Sequence, residues 1–165
     1  MTVDTESSSP APIPTITPAP TLEPVPPAET SVAPRVEKSD AKGELMSVKV
    51  ASSGAADTLT FAFADRAVPG YDIRYVDKLL RSDDDVVLLD GSAVLTVSFT
   101  NSVPGKNGTI PKKVITNETY DLPAIRQVLL ATNLGGALVF GVGTAAQTPF
   151  TVAVQGNSLT VSFPR

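Results

Sequence analysis

From about residue 44 onward, apolar and polar side chains alternate in short runs. Residues 57–63, DTLTFAF, put Leu59, Phe61 and Phe63 on one face and Thr58, Thr60 and Ala62 on the other. Residues 93–100, AVLTVSFT, oppose Leu95, Val97 and Phe99 to Val94, Thr96, Ser98 and Thr100, and residues 158–163, SLTVSF, do the same with Leu159, Val161 and Phe163. A side-chain period of two predicts half-buried strands. Turn chemistry falls between the runs: Asp90-Gly91, Asn107-Gly108, Asn133 to Gly136, and QGNS at 155–158, which reads as a hairpin. Only VDKLLRSDDD (76–85) and LPAIRQVLLAT (122–132) have some helical character, and the second is short and rich in branched residues. Several short strands at roughly regular spacing predict an all-β fold, an antiparallel sandwich or barrel.

One run invites a different chemistry. In ALVFGVGTAAQTPFTVAV (137–154), Gly141, Gly143 and Ala146 fit the loose pattern G-x-G-x-x-G/A. A dinucleotide fingerprint needs a helix directly after the glycines, because the pyrophosphate sits on that helix's N-terminus. Here Gln147, Thr148, Pro149 and a strand-like FTVAV follow, and no acidic residue stands ~20 positions on, where the motif expects one. The glycines are therefore read as structural, in a turn or bulge between strands.

Composition divides the chain. Nine of its fifteen prolines lie in residues 1–34, among Ala, Ser, Thr and Glu and without an aromatic residue. Such a stretch buries too little apolar surface to offset its ordering entropy, so residues 1–43 are expected to form a disordered Pro-rich tether, and residues 44–165 the folded domain. The tether holds six acids and three bases, leaving eleven acids and ten bases to the domain. A nearly neutral domain offers no basic field to nucleic acid or anionic lipid, and neither is expected as a partner. The chain has no cysteine and no histidine, which removes disulfides, thiolate ligands, the usual general base and the commonest metal ligand. An enzyme, a cofactor and a metal are not expected. No run approaches the ~20 apolar residues of a membrane span, and the start lacks the basic and apolar regions of a signal peptide.

Candidate sites remain. Asp83, Asp84, Asp85 and Asp90 lack the alternate spacing, central glycine and terminal glutamate of a calcium loop, and read as a solvated turn. Asp65, Asp72, Asp77 and Asp121 are available as a carboxylate pair, but sequence spacing says nothing of their separation. Asn107 and Asn117 begin glycosylation tripeptides, which carry meaning only in a eukaryotic secretory pathway. The most unusual strand is PGYDIRYVD (69–77), where Tyr71, Ile73 and Tyr75 alternate with Asp72, Arg74 and Val76. Tyrosine rings stack on sugar faces while Arg and Asp hold hydroxyls or carboxylates; alternatively the tyrosines are core residues with satisfied hydroxyls.

The run DTLTFAFADRAVPGYDIRYV (57–76), followed by VVLLDGSAVLTVSF, LPAIRQVLLATNLGGALVFGVG and TPFTVAV, resembles the AMIN-like domain of actinobacterial exported proteins and lipoproteins over nearly all of residues 46–165. The resemblance implies a β-sandwich of two sheets, related to the AMIN domains found beside cell-wall amidases and associated with peptidoglycan binding and envelope targeting. It also implies a tether that is commonly fixed to the membrane by a lipid-modified cysteine. This sequence departs there, having no cysteine and no amidase domain. The resemblance supplies no catalytic residues. The resulting expectation is an extracytoplasmic, non-catalytic envelope module whose partner is peptidoglycan or an envelope protein. The alternative is a protein-interaction adaptor that docks by a sheet edge or by the tail. Asp72, Arg74, Tyr75 and Arg126 are the candidate ligand-binding residues, Arg74 and Arg126 being the groups suited to grip a carboxylate of a wall peptide. The hydroxyl faces of Thr96, Ser98 and Thr100, and of Thr58 and Thr60, are suited to sugar. Oligomeric state is left open.

Overall fold

The computed structural model describes residues 31–64, 68–81, 83–105 and 109–164. The Asn107-Gly108 turn, the Asn107 glycosylation tripeptide, Asp65 and the first thirty residues of the expected tether lie outside them. The described residues are all-β, in thirteen strands: β1 (Arg35–Glu37), β2 (Gly43–Ser52), β3 (Ala56–Phe63), β4 (Tyr71–Val76), β5 (Leu79–Leu80), β6 (Val86–Val87), β7 (Ala93–Phe99), β8 (Ser102–Pro104), β9 (Asn117–Thr119), β10 (Ile125–Leu134), β11 (Ala137–Thr144), β12 (Thr151–Gln155) and β13 (Ser158–Pro164). The first sheet runs β1-β4-β7-β11-β10-β9 and the second β12-β13-β3-β2-β8, while β5 and β6 form a ribbon of their own. Every pairing is antiparallel except β2 with β8.

The three alternating runs form β3, β7 and β13, and their apolar faces meet between the sheets. Leu59, Phe61 and Phe63 on β3, Leu95, Val97 and Phe99 on β7, and Leu159, Val161 and Phe163 on β13 are fully buried or nearly so. All six phenylalanines are buried, and Phe61 packs on Phe99 and Phe140 with centroids 5.0 and 5.1 Å apart, edge-on and tilted. Burying a Phe or Leu side chain contributes ~1.5–3 kcal/mol, so this layer dominates the fold. One charge enters it. Asp57, fully buried, accepts the amides of Ala124 at 2.7 Å and Ile125 at 3.4 Å, and the Ser52 hydroxyl at 2.6 Å, tying the second sheet to the segment that opens β10.

Several expectations need correction. Residues 125–132 of the segment with helical character belong to β10, a ten-residue strand with register shifts between Ile125 and Gln127 and between Leu130 and Thr132. An extra residue advances the pattern, so core residues fall at Ile125 and Val128, three apart, which imitates a helical spacing. Part of the expected tether is also a structural element. Arg35–Glu37 pairs with β4 in the register Arg35↔Ile73, and Ser31 exchanges both backbone hydrogen bonds with Phe150 at 3.1 and 3.0 Å. A three-residue edge strand lacks a long alternating signature, and Pro34 directly before it fits a sheet edge, where a missing N–H costs least.

Gly141 and Gly143 lie inside β11, not in a turn or bulge. Their side of β11 faces away from the core, and a third layer lies on it. The β5–β6 ribbon and the residues after it fold back over the first sheet, where Leu79, Val87 and Leu89 pack on Val94, Leu129 and Ala131. A Cβ on Gly141 would stand 2.3 Å from Leu79 Cδ2, and one on Gly143 2.0 Å from the Asp90 carbonyl oxygen. The glycines are the space through which this layer approaches the sheet.

Candidate functional site

The four candidate residues are dispersed. Asp72 and Arg74 project from the outer face of β4, where the Arg74 guanidinium donates to both carboxylate oxygens of Asp72 at 2.7 and 2.6 Å. That hydrogen bond and the carboxylate's charge push the Arg74 pKa above its ordinary value. Tyr75, next along the strand, faces inward. Its hydroxyl donates to the Thr148 carbonyl at 2.6 Å, its ring meets Phe150 edge-on at 5.9 Å, and burial raises its pKa. Arg126 lies on β10, separated from β4 by β11 and β7, so about 14 Å away at the usual strand spacing. The hydroxyl faces are divided as well, with Thr96 and Ser98 on the outside of the first sheet and Thr58 and Thr60 on the outside of the second.

Arg126 is the candidate that the fold builds into a concavity. The register shift between Ile125 and Gln127 leaves it as the extra residue of the bulge, which turns its side chain out of the strand's alternation. Its backbone carbonyl accepts the Tyr120 amide at 2.7 Å, drawing residues 119–121 alongside. From the other side the chain returning from the ribbon is pinned: the Asp90 amide donates to Gln127 Oε1 at 2.8 Å, Gln127 donates to Asn117 Oδ1 at 2.8 Å, and the Ser92 amide donates to the Thr144 carbonyl at 2.8 Å. Gly91, at φ +116°, turns against the Thr144 backbone. Between these walls opens a cleft of about 660 Å³ lined by Asp90, Gly91, Ser92, Thr119, Tyr120, Asp121, Arg126 and Ala145.

The cleft combines groups that recognise sugars and peptides. Arg126 Nη1 stands 3.3 Å from Asp121 Oδ1, and because the Asp121 side chain is fully exposed, a ligand carboxylate can take its place at little cost. The Tyr120 hydroxyl donates to Glu118 Oε2 at 2.6 Å; burial foremost, then this bond and the Glu118 charge, push the phenol well above its usual range. The phenol thus stays protonated as a donor. Thr119 and Ser92 add hydroxyls. Sequence inspection singled out Arg126 but missed Tyr120, Thr119, Asp90 and Ser92 as its neighbours. The available signal was the odd spacing of IRQV, which marks a bulge; what faces it across the cleft follows only from the ribbon's path.

Among the described residues no cluster of three or more Asp or Glu side chains is arranged to hold a metal ion, and no helix is long and apolar enough to cross a membrane. The family model of the AMIN-like domain matches residues 43–162. The chain belongs to the AMIN-like domain family. No curated protein and no solved structure matches it. The AMIN-like span runs from the first residue of β2 into β13, and so contains the cleft, the ribbon and all four candidate residues, while Ser31 and β1 precede it. Membership marks a cell-wall-associated module of the extracytoplasmic envelope, of a kind that is generally non-catalytic.

Proposed function

We propose that this AMIN-like protein is a peptidoglycan-binding module that holds a glycan segment and its stem peptide in the cleft between residues 90–92 and 119–121. The observation that carries the reading is the placement of Arg126 by its bulge beside Tyr120 and an easily displaced Asp121. In this reading the Tyr120 ring offers a face to the apolar side of a sugar, Thr119 and Ser92 meet its hydroxyls, and Arg126 exchanges Asp121 for a peptide carboxylate. The action is positional, and nothing is transformed. Residues 1–30, proline-rich in composition, serve as a spacer to an envelope attachment. Asp72 and Arg74 satisfy one another on a separate surface, and Tyr75 supports the core behind it.

A second reading, an adaptor that docks a protein by strand addition, is favoured by one feature. Among the described residues β12 pairs only with β13, so its other edge is open beyond the Ser31 bridge. Co-sedimentation of the full chain with insoluble peptidoglycan separates the two. Saturable pelleting that Arg126→Ala weakens roughly ten- to hundredfold, as loss of a charge-assisted hydrogen bond worth ~1.5–3 kcal/mol requires, while Arg74→Ala leaves it unchanged, supports the cleft. Protein that stays in the supernatant at every concentration refutes it. Deletion of residues 1–30, which spares Ser31 and β1, should leave pelleting intact; loss would assign binding to the tail.

A further inference from the structure

The ribbon that covers the first sheet has a second face. Residues 79–89 read LLRSDDDVVLL, apolar at successive positions on both arms, a pattern that belongs to strands buried on two sides. Its inner side is accounted for: Leu79 pairs with Val87, and with Leu89 they pack on the sheet. The outer side carries Leu80, Val86 and Leu88, of which Leu80 and Val86 are direct cross-strand partners. These side chains are 45%, 52% and 88% exposed. A scattered exposed aliphatic needs no explanation, but three together on one face of a two-stranded ribbon form a patch. Arg81, Asp85 and Val87 join Val86 and Leu88 around a hollow of about 330 Å³ beside it.

Charge decides what fits there. Asp83, Asp84 and Asp85 border the patch, with Arg81 the one base in residues 79–89. The turn that carries them is fixed by Asp84 donating its amide to the Arg81 carbonyl at 2.9 Å and Arg81 its amide to the Asp85 carbonyl at 3.0 Å. A second copy meeting this face by two-fold symmetry would set these acids against their like, and an anionic lipid surface would be repelled. We infer that the outer face of the β5–β6 ribbon is a docking surface for a protein segment whose apolar side chains are flanked by Lys or Arg. The apolar centre supplies the affinity, and the aspartates supply orientation and on-rate. This surface stands apart from the cleft and does not depend on what the cleft binds.

The test uses the full chain and three fluorescent peptides of equal length, one with leucines flanked by lysines, one with leucines flanked by glutamates, and one with serines in place of the leucines among the lysines. Fluorescence anisotropy is expected to show saturable binding of the Leu/Lys peptide alone, weakening as salt is raised. Leu88→Ser with Val86→Ser should lower that affinity at least tenfold, and Asp83→Asn, Asp84→Asn, Asp85→Asn together should lower it several-fold. Thermal melting of both variants checks that the ribbon remains in place, and the Asn variant leaves every packed side chain untouched. Equal binding of the Leu/Glu or Ser/Lys peptide, no binding of the Leu/Lys peptide, or no response to either variant overturns the inference. So does a dimer in sedimentation velocity that Leu88→Ser dissolves, which would give the face to a second copy.

Discussion

The outer faces of the two sheets are built on opposite plans. On β3 and β13 of the second sheet the alternation is clean. Thr58, Thr60, Thr160 and Ser162 point outward, Thr60 and Thr160 share a hydrogen bond at 3.2 Å, and nothing from the described residues packs over them as a layer. Such a face is finished by water. On the first sheet the corresponding positions of β10 and β11 are Leu129, Ala131, Gly141 and Gly143, none of them polar, and the β5–β6 ribbon lies over them. The half of that sheet nearer β4, with Asp72, Arg74, Thr96 and Ser98, is polar again. Where apolar residues and glycines replace the expected polar ones, a third layer follows, and its border makes the cleft at Arg126.

Removing the ribbon's anchor should break the contrast most severely. Leu79→Ala deletes the side chain that fills the space above Gly141, and should lower the unfolding free energy by ~2–4 kcal/mol in urea denaturation. Gly143→Ala comes next. Its methyl would meet the Asp90 carbonyl, forcing the ribbon outward at ~1–3 kcal/mol, and because Asp90 lines the cleft it should weaken peptidoglycan pelleting as well. A stability loss with full pelleting would separate the cleft from the ribbon's placement.

A smaller effect appears with pH. The three tyrosines, Tyr71, Tyr75 and Tyr120, all have pKa values raised above 10.0, burial being the first cause in each. A phenol whose folded pKa exceeds its unfolded one gives a contribution that is whole below pH ~10 and is lost as pH rises through the folded value. Denaturation midpoints should therefore fall above pH ~10, together with phenolate absorbance that appears later in the folded chain than in urea. Tyr120→Phe should reduce the late absorbance, and coincident titration in both states would contradict the packing described. The smallest expected change is Thr60→Ala on the water-finished face, within about 0.5 kcal/mol of no effect in the same urea experiment.

Much of this was legible in the chain. Strands β3, β7 and β13 follow from strict alternation because each has one face in the core and one in water. The hairpin at residues 155–158 follows from its turn residues, Gly156 taking φ +58°. What escaped was whatever breaks the period of two. The bulges of β10 gave Ile125 and Val128 a helical spacing. The ribbon's two-sided apolar pattern gave no strand phase. Gly141 and Gly143 read as a turn or bulge, because nothing local tells a glycine that admits a packed layer from one that bends the chain. Arg126 was visible as a charge beside apolar residues, whereas Tyr120 and Asp90 join it only through contacts distant in sequence. Asp57 opens an alternating run with no local sign that it is buried; its burial depends on amides at 124 and 125.

The comparison of faces has one direct functional test. A soluble fragment of peptidoglycan, two sugars with their stem peptide, is titrated into the isotopically labelled full chain while backbone amide resonances are followed. The account predicts saturable shifts confined to Gly91, Ser92, Thr119, Tyr120, Asp121, Arg126 and Ala145, requiring at least about tenfold more fragment in Arg126→Ala, with Thr58, Thr60 and Thr160 unmoved. Shifts centred on those threonines, or on Asp72 and Arg74, would contradict it, as would a spectrum that the fragment leaves unchanged.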